Sequence, residues 1–319
     1  MGAVNRPQPA FWITLAAVPA NFILAYALIF GAYGAPQLGI LGAGVATTVA
    51  NLGMCAAALW VCYSQHPFKK YQVLGKFWRY DSHLMKQLVA IGTPMALTFL
   101  LEYGLFGGAG LVVGLFGSSA LAAHQIALQI AAILFMIPFG ISLAATVRVG
   151  QEAGRKNPAG ARLAGFVALG LAFGFMTIMT VIVVVFRAEL PAFFMDADMS
   201  DSTQIVSIAS WLLLLGATFF VADGAQTAMA GALRGLNDTK IPMLLAAFSF
   251  WVVGFGGLYA LAFPLGYGVT GVWIGFTIGL IVYCVLLVTR FHLLTARGYL
   301  PDAPKAEDAF AKAKPLPAE

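Results

Sequence analysis

Apolar runs of more than about 20 residues recur along nearly the whole chain, and each is long enough to cross ~30 Å of hydrocarbon as a helix. Eight are read, at about 11–31, 41–63, 88–116, 121–146, 163–186, 203–233, 241–264 and 268–289. Inside a bilayer every backbone N–H and C=O must be satisfied within the protein, which leaves helices or closed barrels. A barrel would show ~10-residue alternating segments separated by turns, and the sequence has none of that pattern. Composition agrees: 61% of the 319 residues are hydrophobic and 10% are charged, against about 25% charged in an ordinary soluble domain. The expected fold class is all-α, a polytopic helical membrane protein of about eight transmembrane helices.

The basic residues fall in every second connection. Arg6 precedes the first span; Lys69, Lys70, Lys76, Arg79 and Lys86 follow the second; Arg148, Arg155, Lys156 and Arg162 follow the fourth. Arg234 and Lys240 follow the sixth, and Arg290, Arg297, Lys305, Lys312 and Lys314 follow the eighth. On the other side stands Arg187, beside Glu189, Asp196, Asp198 and Asp201. The positive-inside rule then places both termini in the cytoplasm of a plasma (inner) membrane protein. The net charge of +5 is spread over these loops rather than gathered into a patch, so nucleic acid is not an expected partner; the lipid bilayer is. Cys55, Cys62 and Cys284 lie in or at the ends of spans, as packing residues rather than a disulfide or metal set. No cleavable signal peptide is read, and residues 298–319, rich in Pro, Ala and charge, are expected to be a disordered cytoplasmic tail.

The first two spans resemble the last two. "PAFWITLAAVPANFILAYALIF" (9–30) aligns with "PMLLAAFSFWVVGFGGLYALAF" (242–263) at an offset of 233, pairing Pro9 with Pro242 and Tyr26 with Tyr259. "GILGAGVATT" (39–48) aligns with "GVTGVWIGFT" (268–277) at an offset of 229, pairing Gly39 with Gly268 and Gly42 with Gly271. Ordered Pro, Tyr and Gly landmarks at constant offsets mark an internal repeat. The repeat predicts counterparts of spans three to six ahead of span one, so the chain is read as lacking four helices. The organisation expected is the last two helices of an incomplete N-terminal lobe (1–63), a cytoplasmic linker (64–87), a six-helix C-terminal lobe (88–297) and the tail. In the linker, Phe77, Trp78 and Tyr80 beside Lys76, Arg79 and Lys86 suit a segment lying at the membrane interface.

Two acids lie well inside spans, Glu102 and Asp223. Asp223 is eleven residues from Arg234 at the cytoplasmic edge, roughly 16 Å at ~1.5 Å per residue and thus near the midplane. Inserting one acid there costs about 2.5–3.5 kcal/mol on the translocon scale, so such residues face a cavity or a partner. No basic residue lies at that depth in any span. Desolvation of an unpaired carboxylate favours its protonated or cation-bound form, which is the chemistry of an ion-coupled transporter. Asn21, Tyr103, Gln125, Gln129, Gln226 and Thr227 are candidates to line the same cavity, each also explicable as interhelical glue. His124, at the outer end of the fourth span, is read as an interfacial histidine. Pro19, Pro94 and Pro138 are expected to permit bending within spans. Small-xxx-small spacings such as Gly104/Gly108 and Gly271/Gly275/Gly279 allow close helix contacts.

Several segments together resemble the multidrug and toxic compound extrusion (MATE) transporters, in their NorM-like branch. "HQIALQIAAILFMIPFGISLAATVRVGQEAGRKNPAGAR" (124–162) is similar to the family's eighth-helix region. "MAGALRGLNDTKIP" (229–242) resembles the loop after its tenth helix, and "LVAIGTPMALTFLLEYG" (88–104) its seventh-helix entry. The resemblance implies an antiporter of twelve helices in two six-helix lobes, with the present spans corresponding to the fifth to twelfth. It implies export of small organic, often cationic compounds in exchange for Na+ or H+, with no other cofactor. Glu102 and Asp223 fall at the acidic positions of its C-terminal-lobe cation site, and Gln125 is a further candidate there. The first four helices, with the first-helix aspartate of the N-terminal lobe, have no counterpart in this sequence.

Two other readings stand beside the antiporter. A lipid-linked saccharide flippase of the same superfamily would need cationic residues in the cavity, and none is seen within the spans. A truncated, transport-incompetent membrane protein, or one completed by missing helices or a partner chain, follows from the incomplete repeat. An enzyme is not expected: there is no GxGD-type paired Asp motif, no His-Glu metal signature and no Ser with a His in reach by pattern.

Overall fold

A computed structural model describes residues 8–64, 82–195 and 202–298. The predicted interfacial segment with Phe77, Trp78 and Tyr80, the acids Asp196, Asp198 and Asp201, and the tail from 299 lie outside the described residues. The described chain is helical throughout, and eight stretches are long and apolar enough to span a membrane. This is the all-α, multi-pass membrane architecture expected from the apolar runs.

The chain divides into two compact units, Met1–Leu84 and Met85–Glu319. The first holds α1 (Gln8–Phe30) and α2 (Ile40–Ser64), packed on each other through a short 3₁₀ turn at Ala32–Gly34. The second holds α3 (Ser82–Gly114, from Met85 on), α4 (Ser118–Gly154), α5 (Pro158–Val185), the short α6 (Glu189–Ala192) and α7 (Ser202–Gly235). Its seventh span is composite, built of α8 (Lys240–Ala246), a π-helical stretch (Ala247–Phe255) and α9 (Gly256–Ala262), and its last is α10 (Gly268–Ala296). The core of this unit centres on α7, which packs against α4, α5 and α10. A second cluster joins Ala109 and Val113 of α3 to Ala120 of α4, Leu258 and Ala262 of α9 and Val272 of α10.

Several helices run past the apolar runs that announced them. α4 has 37 residues, about 55 Å at 1.5 Å per residue, so it must project beyond a ~30 Å hydrocarbon layer. Its polar last turns stay helical until Asn157, whose side chain accepts a hydrogen bond from the Gly160 N–H (3.0 Å) and donates to Glu152 (2.8 Å). Pro158 at the first position of α5 completes a helix start of the expected chemistry.

Pro19, Pro94 and Pro138 all sit inside uninterrupted helices. The Thr98 hydroxyl donates to the Pro94 carbonyl (2.9 Å), whereas the carbonyl that the proline deprives of its backbone donor is that of Ala90, one turn earlier. A π-helical stretch occupies 247–255, which holds no proline, and there Trp251 lies against Gly104 and Phe255 against Gly108 of α3. π turns of this kind occur mostly as single insertions in α-helices, often at functional sites.

The internal repeat has a three-dimensional counterpart in each unit. The Leu38 N–H donates to the Leu28 carbonyl (2.8 Å), and at the same two offsets the Tyr267 N–H donates to the Leu261 carbonyl (3.1 Å). Tyr26 and Phe30 meet at 5.1 Å between ring centroids, Tyr259 and Phe263 at 5.2 Å. Gly39 and Gly268 share a φ of +55°, a backbone conformation that favours glycine. A methyl group on Gly42 would overlap the Leu28 carbonyl, and one on Gly271 the Leu261 carbonyl. Both hairpins thus close on glycine in the same way.

Candidate functional site

α7 carries the site because small residues let it lie hard against α4. A methyl group at Gly224 would run into Met176 of α5 and Pro138 of α4, and one at Gly231 would overlap the Ser142 carbonyl. The Thr146 hydroxyl bonds both the Ser142 and Gly231 carbonyls at 2.9 Å, stitching the two helices together. This contact leaves Asp223, Gln226 and Thr227 on the buried face of α7 that looks towards α3.

There the two intramembrane acids meet. Gln226 Nε2 donates to Glu102 Oε1 at 2.9 Å and to Asp223 Oδ1 at 3.1 Å, with Thr227 Oγ1 at 3.3 Å. An amide nitrogen has two hydrogens, so three acceptors overcommit it. Asp223 is 4% exposed and Glu102 half-buried, and among the described residues neither forms a salt bridge. Two carboxylates drawn to one amide in a poorly solvated site repel one another, and a single proton or monovalent cation between them relieves both the repulsion and the unmet acceptor capacity. No group of three or more His, Cys, Asp or Glu side chains that could hold a metal occurs among the described residues.

The carboxylates open onto two cavities. One, of about 320 Å³, is lined by Glu102, Asp223 and Tyr103 together with Phe99, Phe106, Phe135, Phe139 and Phe219. The other is narrow, about 30 Å³, and runs from Glu102, Gln226 and Thr227 past Arg234, Asp238 and Tyr283. Arg234 stacks over the Phe99 ring at 5.2 Å, and Asp238 is bridged by Arg290 at 2.9 Å. An aromatic chamber with two acids suits an organic cation, since ring faces and carboxylates both attract positive charge.

The structure therefore brings together four predicted residues, Glu102, Asp223, Gln226 and Thr227, with Tyr103 at the edge of the larger cavity. Gln125 and Gln129 are exposed and line neither cavity. The buried stripe of α4 runs through Ala120, Ala123, His124, Ala127 and Ala131, and the two glutamines lie outside it. Asn21 belongs to the other unit, where its Oδ1 is buried without a hydrogen-bond partner. His124 is not interfacial: it is fully buried, and its Nδ1 accepts a hydrogen bond from the Trp273 indole at 3.1 Å.

Arg234, Tyr283 and the phenylalanine lining escaped the reading of the sequence. Arg234 was visible only as the edge of a span. The phenylalanines are indistinguishable from the other aromatic residues of an apolar chain until the helices are packed.

Fold and site thus define a multi-pass helical membrane protein in which a buried carboxylate pair faces an aromatic chamber. The family model MatE matches residues 94–259, a segment that contains both carboxylates, and the chain belongs to this family. It is 53% identical over 296 residues to the probable multidrug resistance protein NorM of Rhodopseudomonas palustris, covering 92% of this chain and 62% of that protein. A second such protein, from Bradyrhizobium diazoefficiens, is 50% identical over 297 residues, covering 93% and 64%. The fold matches the crystal structure of a variant of the Vibrio cholerae MATE transporter VcmN with a TM-score of 0.80 at 20% identity, over 93% of this chain and 65% of that one. The chain spans somewhat under two thirds of the length of these relatives.

Proposed function

We propose that this chain acts in a secondary antiporter that exports small organic, often cationic compounds in exchange for Na+ or H+ across the inner membrane. The observation that carries the proposal is the single amide of Gln226 held between Glu102 and Asp223, two acids 121 positions apart in the sequence that meet in one buried cluster. Glu102 and Asp223 form the coupling-ion site, Gln226 and Thr227 orient it, and the aromatic chamber receives the substrate. Ion binding at the carboxylate pair competes with, or is coupled to, release of the substrate from that chamber. The names of the NorM relatives support the substrate class, and they and the transporter titles of the structural matches support transport rather than enzymatic chemistry.

The further parts of this reading rest on the sequence. Basic residues in alternate connections support cytoplasmic termini. The repeat supports residues 1–63 as part of an incomplete lobe and 88–297 as a six-helix lobe, with further helices or a partner chain completing the transport path. A flippase reading gains nothing from Arg234, because Glu102 and Asp238 line the same narrow cavity and leave it without a cationic character.

The test is efflux of a fluorescent organic cation from cells that lack other exporters. Asp223→Asn, which keeps the shape of the side chain, should abolish ion-driven efflux while the variant still inserts at native abundance. Undiminished efflux would sink the proposal. Replacing external Na+, or collapsing the proton gradient, then tells the two coupling ions apart.

A further inference from the structure

A groove of about 520 Å³ lies among α5, α7 and α10, and neither Glu102 nor Asp223 lines it, although Ala222 and Ala225 beside Asp223 do. Its floor is made by small residues, Gly170 of α5 with Ala222 and Ala225 of α7, and its walls by Phe166, Phe173 and Val288. Gly170 has open space where a side chain would stand, so a larger residue there would project into the groove. From Phe166 to Phe173 the groove follows α5 for about 10 Å, two thirds of one leaflet of a ~30 Å hydrocarbon layer.

One end of the groove is charged. Arg162 lies one helical turn before Phe166, its guanidinium 5.8 Å from the centroid of that ring, and its Nη2 donates to His292 Nδ1 at 3.4 Å. His292 in turn meets the edge of Phe166 at 6.2 Å. Among the described residues Arg162 has no carboxylate partner. The nearby acids are engaged elsewhere: Glu152 by Arg155 and Asn157, Asp238 by Arg290. A guanidinium held at the interface by a ring, with most of its five N–H groups free, is suited to bidentate binding of a phosphate.

We propose that this face binds an anionic phospholipid, with the headgroup phosphate on Arg162 and His292 and one acyl chain in the groove between α5, α7 and α10. The charge at the mouth and the apolar channel below it match the two ends of such a molecule, and its place in the bilayer brings the ligand to it. Neither Arg162 nor Gly170 belongs to the transport site, so this inference stands independently of the proposed function.

The test is native mass spectrometry of the full chain, delipidated and then given phosphatidylglycerol or phosphatidylcholine with identical acyl chains. Phosphatidylglycerol should be retained roughly fivefold better, the effect of about one basic residue at a membrane surface. Arg162→Gln should remove that preference, Arg162→Lys restore most of it, and Arg297→Gln leave it intact. Gly170→Leu, which fills the floor from the lipid side, should lower retention of both lipids. Equal retention of the two lipids by the native chain, or an unchanged preference in Arg162→Gln, overturns the proposal. So does full displacement of the lipid by soluble glycerol phosphate, which would mark a free-phosphate site, or blockage of the groove by a second copy of the chain.

Discussion

The α1–α2 hairpin and its repeat, the last two spans of the second unit, share local geometry and differ in surroundings. The same carbonyl accepts the same backbone hydrogen bond, the same Tyr and Phe rings meet, and the same glycine admits the other helix. Yet α1 has no buried residue and α2 has Gly42 and Ala46 alone, whereas α10 buries a run from Gly271 to Thr295 that includes Trp273, Phe276, Tyr283 and Phe291. A hairpin is set by contacts between two spans that follow one another in the chain. Burial needs neighbours, here α5 and α7 on α10, and it is where the two copies diverge in sequence as well: Gly44 stands at the position equivalent to Trp273.

Substitutions made in both copies test how far that equivalence extends. The largest effect is expected at the shared glycine. Gly271→Ala puts a methyl group into the Leu261 backbone in a helix hemmed in by α7 and α5, and should cost towards the upper end of about 1–3 kcal/mol. Gly42→Ala makes the same overlap with Leu28, but α1 and α2 can yield, so its cost should be smaller. Thermal unfolding in detergent measures both, and equal losses would show that the hairpin alone governs stability.

A smaller effect separates Trp273 from its equivalent. Trp273→Phe leaves fully buried His124 without its indole donor, a loss of about 1–2 kcal/mol. Gly44→Ala enters open space on a helix and should stabilise by up to about 1 kcal/mol. Opposite signs in the same unfolding assay sharpen the contrast between a buried and an unburied copy; a shared sign would break it. The smallest change belongs to the ion pair found in one copy only. Arg290 binds Asp238, while its equivalent is Val61. The pair is partly exposed, so Asp238→Asn should lower stability by about 1 kcal/mol or less, and a larger loss would mean that the pair anchors α10 rather than decorating it.

The site was legible in proportion to how unusual each residue is in a membrane. Glu102 and Asp223 stood out because a carboxylate at mid-span is costly, and Gln226 and Thr227 because they lie within four residues of one of them. Gln125 and Gln129 were picked by the same polarity, and they lie outside the buried stripe of α4. His124 was read as interfacial from its place near a span end. The indole that buries it comes from a residue 149 positions away, beyond any local pattern. The π turn at 247–255 had no proline to announce it.

The sequence by itself determined the number of spans, their helical state, the closure of each hairpin and the acids that have to be sheltered, because these depend on transfer of whole segments from water to lipid and on contacts between near neighbours in the chain. Tertiary structure decided which faces are buried, that one glutamine amide joins two acids from different helices, that phenylalanines from α3, α4 and α7 enclose a chamber, and that an arginine without an acid stands at the mouth of an apolar groove. Those outcomes depend on how the helices rotate and slide against one another, and small residues such as Gly224 and Gly231 set that registry through contacts with helices far away in the sequence.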